Sequence, residues 1–72
     1  MIKPGDVYYD KQHRMYFIVL GRDESRSDLY WVVPSAYARE VTVRLQVPDS
    51  VINDWEKVNK IKAEIVKMQC GL

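Results

Sequence analysis

This 72-residue chain has a single cysteine, no long apolar run and no large excess of either charge. The single cysteine, Cys70, excludes an internal disulfide, and with it the class of small secreted domains held together by such bonds. The longest apolar run, residues 15–20, is far shorter than the ~20 residues that cross a bilayer. The first residues contain no apolar stretch typical of a secretion signal. These absences predict a cytoplasmic protein that does not associate with membranes.

The net charge of the chain favours no particular class of binding partner. Lys and Arg together number 11 and Asp and Glu number 10, which leaves a net charge of +1. A balance so close to zero provides no overall attraction to nucleic acid or to anionic lipid. One histidine, His13, and one cysteine supply no spacing typical of metal ligands. We therefore predict no metal site and no cofactor.

The spacing of apolar residues changes near Pro48, and this change predicts an α+β fold. Before Pro48, short β-favouring runs are separated by turn residues and predict four strands, at about 6–9, 14–20, 29–33 and 40–47. After Pro48 the apolar period becomes helical and predicts one helix over about 49–69. We expect a single domain, residues 1–72. It would consist of a four-stranded antiparallel sheet, or an SH3-like partial barrel, covered by one C-terminal amphipathic helix.

The unbroken apolar run of the second strand predicts burial on both of its faces, whereas the alternation in residues 40–47 predicts one wet face. On the predicted helix, apolar residues form a stripe of Val51, Trp55, Val58, Ile61, Ile65 and Met68. The stripe predicts packing against the sheet. Val58, Ile65 and Leu72 also continue as a heptad, and Ile52 and Val66 widen the apolar face. A homodimer through this helix is therefore an alternative to a purely core role.

Aromatic and arginine residues are concentrated in the sheet half of the chain. The candidate binding residues are Tyr8, Tyr16, Tyr30, Trp31, Tyr37, Arg39 and Arg44. Alternation along the strands places about half of the aromatic rings away from the helix. Exposed rings next to arginines can stack on single-stranded nucleic acid, and the same residue types are enriched at protein interfaces. The interpretation that comes before both is that the rings fill a thin core, because a domain this small has few other large residues.

Four segments carry a resemblance to a known family. Residues 2–10 contain a Gly-Asp turn, a β-branched residue, two tyrosines and an aspartate. Residues 13–20 place an arginine before an aliphatic run, and residues 30–35 end a strand in a small hydroxylated residue. Together with residues 39–47 and the terminal helix, these segments resemble the PemK/MazF/CcdB-type toxins, which have an SH3-like small-barrel fold.

The resemblance implies metal-independent cleavage of single-stranded mRNA, in which a ribose 2′-hydroxyl attacks the adjacent phosphate. Arg14 matches the family's arginine, whose planar donors suit a pentacovalent phosphate, and Ser35 is the nearby hydroxyl that would assist. His13, a titratable base beside Arg14, is a candidate from its own chemistry to assist instead of Ser35, and a solvated histidine in a hairpin loop is the alternative interpretation. The chain departs from the family at Met15, where a proline is expected, and at Pro34, where a threonine is expected.

The sequence thus favours a small non-catalytic interaction module that binds and modulates a macromolecular partner, as a phage or mobile-element regulator or inhibitor would. A protein is the expected partner, with single-stranded RNA as a second candidate and a homodimer through the C-terminal helix as a further one. The alternative function is a compact PemK/MazF-like endoribonuclease.

Overall fold

The computed structural model describes residues 1–37 and 43–71. It has an α+β architecture in which all strand pairs are antiparallel. The strands are β1 (Val7–Asp10), β2 (Met15–Arg22), β3 (Leu29–Pro34), β4 (Leu45–Pro48) and β5 (Glu56–Lys57). The helices are α1 (Asp49–Asp54) and α2 (Lys60–Gln69), and a short 3-10 turn follows β3 at Ser35–Tyr37. The predicted α+β class, with an antiparallel sheet and a C-terminal helix, is confirmed.

The sheet has the strand order β4-β3-β2-β1-β5, with β4 and β5 at the edges. The order is a meander because each strand up to β4 pairs with its neighbour in sequence, and β5 then joins the free edge of β1. In β1, Tyr8 lies opposite Lys57 and Tyr9 opposite Glu56. The fifth strand was not predicted from the sequence, since two charged residues carry no strand signal of their own.

Side chains of the central strands alternate between two apolar layers on opposite faces of the sheet. On the first face, the α1 face, Ile52 of α1 packs against Phe17, Val19 and Val32. On the second, the α2 face, Ala63 and Val66 of α2 pack against Val7, Ile18 and Val33. The central part of β2 is therefore buried on both faces, as its unbroken apolar run predicts.

The prediction of one helix over residues 49–69 is wrong. Helix α1 ends at Asp54, because Trp55 is extended, with φ −81° and ψ 162°. The chain then runs along β1 as β5, and Val58 donates its N–H to the carbonyl of Val7. Asn59 begins α2, and its side-chain oxygen accepts the N–H of Lys62 at 2.9 Å. Helical periodicity persists across this break because Trp55 and Val58 of the extended segment are also partly buried.

The break also changes which helical residues form the core. The fully or nearly buried helical residues are Ile52, Ala63 and Val66, whereas Ile61, Ile65 and Met68 of the predicted stripe are exposed. The physical reason is that β5 carries the chain around the edge of β1, so that α1 and α2 cover opposite faces. A single helical phase cannot describe two helices that face the sheet from opposite sides.

The fourth predicted strand is only partly observed. Strand β4 begins at Leu45 and ends at Pro48, whereas residues 43 and 44 lie outside any strand. The first part of the predicted strand, residues 40–42, lies outside the described residues. No helix in residues 1–37 and 43–71 is both long and apolar enough to cross a membrane.

Candidate functional site

The turn between β1 and β2 is organised by one aspartate. Asp10 ends β1 and pairs with Met15, which begins β2. Its Oδ1 accepts the backbone N–H of Gln12 at 3.0 Å and that of His13 at 3.4 Å. Arg14 closes the turn with φ +52°, in the left-handed region that residues with a Cβ rarely adopt. The turn therefore fixes the backbone of His13 and Arg14 at the end of the sheet.

The same aspartate orients the imidazole of His13. Nδ1 of His13 lies 2.6 Å from Oδ2 of Asp10, and an ionised carboxylate can only accept, so Nδ1 donates. Burial of Asp10 opposes its charged form, but hydrogen bonds from the His13 ring and from the N–H groups of His13 and Gln12 outweigh this and lower the pKa of Asp10. With Nδ1 engaged, Nε2 is the ring nitrogen that remains for a ligand. The imidazole itself is mostly exposed.

An apolar groove of about 460 Å³ lies beside this turn on the α1 face. We call it the turn groove, and its apolar lining is Met15, Phe17, Pro34, Leu45, Val47, Val51 and Trp55. The rings of Phe17 and Trp55 stack in parallel, with centroids 4.4 Å apart, and give the groove a rigid aromatic wall. Asp10, Gln12 and His13 supply its polar rim. An apolar interior with a few convergent polar groups is the usual composition of a binding site.

The three candidate catalytic residues of the endoribonuclease alternative lie at one end of the sheet. His13 and Arg14 are in the turn before β2, and Ser35 follows β3, whose last residue Pro34 pairs with Phe17 of β2. The carbonyl of Ser35 accepts a hydrogen bond from the thiol of Cys70 at 3.4 Å. No hydrogen bond between described residues connects Ser35 to His13 or to Arg14. The topology thus brings the three residues into one region without joining them in one network.

The predicted aromatic and arginine binding residues fall into different environments. Tyr8 and Tyr30 are buried in the core of the α1 face, which corrects their assignment to an exposed binding surface. Their burial follows from alternation, since both share a face with Phe17 and Val32. Arg22 donates to the hydroxyl of Tyr30 at 3.1 Å and so satisfies its polar atom.

The other predicted aromatic residues remain at the surface and pair with cations. Tyr16 is half-buried on the α2 face, 4.8 Å from the ring of Tyr9, and the Nζ of Lys62 lies 5.5 Å from its centroid. Trp31 is half-buried, and the guanidinium of Arg44 lies 6.0 Å from its ring. These are two separate cation–π contacts and not one continuous platform. Arg39 and the side chain of Tyr37 lie outside the described residues.

Sequence reasoning missed Asp10 and the groove. An aspartate directly before a polar four-residue connection is a turn signal, because its carboxylate can accept N–H groups two and three residues on. That signal could have identified an orienting partner for His13. Trp55 was assigned to a helix stripe, and its contact with Phe17 depends on the break after α1.

Comparison of this chain with protein-family models, with curated protein sequences and with solved structures found no match. The resemblance to PemK/MazF/CcdB-type toxins stays a prediction.

Proposed function

We propose that this chain is a protein-interaction module that binds an exposed apolar segment of a protein partner in the turn groove. The observation that supports this most is the composition of the groove, which combines seven apolar side chains with a polar rim at one end. Interfaces between proteins have the same arrangement of an apolar centre and a polar border.

The exposure of the lining favours a macromolecular occupant. Leu45 and Val51 remain 44% and 41% exposed, so the groove is a surface feature and not an enclosed cavity. Its outer walls are provided by β4 and α1, and its inner wall by the stack of Phe17 and Trp55. One or two apolar side chains of a partner would cover the exposed parts of Leu45 and Val51 while they contact the aromatic wall.

The polar groups beside the groove indicate which residues of the partner would flank the apolar side chain that enters it, which we call the anchor. His13 presents Nε2 at the rim, and the exposed Arg14 follows it in the same turn but outside the groove lining. Arginine binds carboxylates through parallel hydrogen bonds, which gives it geometric selectivity for acidic groups. The proposed ligand is therefore a peptide with a Leu- or Phe-like anchor next to an acidic residue. Binding requires no bond making or breaking.

Selection from a random displayed-peptide library tests this proposal. Enriched peptides are expected to share an apolar anchor with an acidic neighbour, and to change the NMR signals of the turn and of the Trp55 indole. Leu45→Lys and Val51→Lys should each weaken binding at least ~10-fold, because a charge at the centre of an apolar contact must be desolvated. Both residues are partly exposed, so both variants should fold.

A matched control is Leu20→Lys, since Leu20 has a similar exposure of 40% but does not line the groove. It should bind selected peptides as the unmodified chain does. The proposal is refuted if no peptide is enriched, or if enriched peptides bind Leu45→Lys and Leu20→Lys equally well.

The hydrogen bond between Asp10 and His13 favours one further candidate, the metal-independent endoribonuclease. An oriented imidazole can remove the proton from a ribose 2′-hydroxyl, and Arg14, the next residue of the turn, can stabilise charge on the phosphate. As the 2′-oxygen bonds to phosphorus, the bond from phosphorus to the 5′-oxygen breaks, and that oxygen leaves with the proton held by the imidazolium. Incubation with single-stranded RNA in the presence of a chelator should then give 2′,3′-cyclic phosphate ends. Arg14→Ala and His13→Ala should each abolish them. If the folded unmodified chain leaves the RNA intact, this candidate is excluded.

A further inference from the structure

Helix α2 has two apolar sides. Ala63 and Val66 pack on the sheet and are both 6% exposed. Ile61, Ile65 and Met68 recur at helical spacing on the opposite side of the helix, and they are 77%, 49% and 75% exposed. We call these three residues the outer stripe. A single exposed apolar residue is ordinary, but three that share one helical face mark a contact surface.

Charged and polar residues on both borders of the outer stripe are self-complementary. At 100° per residue, Glu64 and Lys60 border the stripe on one side, with Lys67 farther round toward the sheet and its side chain 22% exposed. Lys62 and Gln69 border the stripe on the other side. When two identical helices pack antiparallel, each border faces the same border of the other copy. An antiparallel register with its two-fold axis between Ile65 and Val66 would place Glu64 of each copy opposite Lys67 of the other.

The same register satisfies the second border. It would place Lys62 of each copy opposite Gln69 of the other, so that an ammonium donor meets an amide oxygen acceptor. Within one copy, Lys67 already lies 2.8 Å from Glu64, so pairing would extend this contact into a four-residue charge network. The centre of the contact would consist of Ile65 and Met68 from both copies.

We infer that the outer stripe is the interface of a symmetric homodimer, with α2 packed antiparallel against α2 of a second copy. The borders of each copy carry Lys60, Lys62 and Lys67 against Glu64, so the two Glu64–Lys67 contacts offset only part of the repulsion between the copies. Two-fold symmetry is the arrangement in which one surface recognises itself. If the stripe bound a different apolar partner, nothing would require the residues of each border to pair with the same border of a second, antiparallel copy.

The length of α2 limits the area that the dimer can bury, and with it the expected affinity between the copies. Helix α2 has ten residues and is about 15 Å long, so two such helices bury less than the ~800 Å² per partner typical of stable complexes. The dimer should therefore dissociate in the micromolar range. Since α2 and the turn groove lie on opposite faces of the sheet, the dimer would leave two grooves open. This inference is independent of what the groove binds.

Sedimentation velocity of the unmodified chain from low to high micromolar concentration tests the inference. A concentration-dependent shift from monomer to dimer is expected. Ile65→Lys should raise the dissociation constant at least ~10-fold, because it places two like charges at the two-fold axis. Leu20→Lys is the matched control, since Leu20 is a similarly exposed apolar residue of β2 that belongs neither to α2 nor to the turn groove, and it should dimerise normally.

A charge exchange tests the register. Glu64→Lys should weaken the dimer because it places lysines of both copies opposite each other. The double change Glu64→Lys with Lys67→Glu should restore the dimer, because it reverses both members of each pair. A chain that stays monomeric at high micromolar concentration refutes the dimer. Equal dimerisation of Ile65→Lys refutes this surface, and a double variant as weak as Glu64→Lys refutes the antiparallel register.

Discussion

Two neighbouring positions in α1, Val51 and Ile52, should differ strongly in how much their truncation to alanine destabilises the fold. The helical stripe read from the sequence places Val51 in the core, whereas the structure exposes Val51 and buries Ile52 completely. Ile52→Ala removes three carbon atoms from this site, and at about 0.8 kcal/mol per methylene the transfer part alone is about 2.4 kcal/mol. The cavity left beside Phe17 and Val19 adds to this, so we expect a loss of about 3–4 kcal/mol.

The consequence is large because the domain is small. At roughly 0.05–0.15 kcal/mol per residue, a chain of this length is stable by about 4–11 kcal/mol. Ile52→Ala should therefore remove about a quarter of the stability or more and lower the Tm by about 12–30 °C. Val51→Ala removes partly hydrated methyl groups and gains helix propensity, so its effect should stay within about 0.5 kcal/mol.

Urea unfolding followed by tryptophan fluorescence and by far-UV circular dichroism measures both variants. The reasoning is refuted if Val51→Ala costs as much as Ile52→Ala, or if the two changes exchange their effects. Either result would mean that α1 presents a different face to the sheet. The wall of the turn groove would then also be assigned wrongly, because it includes Val51.

Three further predictions concern single groups. Hydrogen bonds from Ser25 and then from Gln46 lower the pKa of Asp23 to about 2, below its unfolded value of about 3.9. Its contribution is therefore complete above about pH 4 and is lost as the pH falls toward 2, and Asp23→Asn should flatten that part of an acid-unfolding curve. Arg14→Gly should preserve or raise the Tm, because Gly relieves the +52° φ, while it removes the guanidinium that the proposed acidic ligand requires. Asn59→Ala should cost about 1 kcal/mol in urea unfolding by removing the cap of α2, and no loss would show that this cap is unimportant.

Some local features followed directly from the residues. The turn chemistry around Gly5, Gly21 and Pro34 predicted where strands begin and end to within a few residues. The apolar run in β2 predicted a central strand, because only a strand covered on both faces can bury consecutive side chains. Asn59 also carried a readable signal, since asparagine is a preferred N-cap, and it could have predicted the start of α2.

Only part of the candidate site could be predicted from the sequence. His13 and Arg14 were identified as candidate residues by their chemistry, and the structure adds Asp10 as the group that orients the imidazole. The turn groove could not be derived, because its lining comes from β2, β3, β4, α1 and the residue after α1. No local sequence pattern predicts which of these segments lie in contact in the folded chain.

The amino-acid sequence by itself determined the α+β class, the strand-forming segments and the amphipathic character of the last third of the chain. Only the tertiary structure decided that this last third divides into α1, β5 and α2. The reason is competition for backbone hydrogen bonds. Residues 56–58 pair with β1 instead of continuing the helix, and Trp55, whose N–H still donates to the carbonyl of Ile52, gains its stack on Phe17. That exchange places the two helices on opposite faces and leaves Ile61, Ile65 and Met68 at the surface.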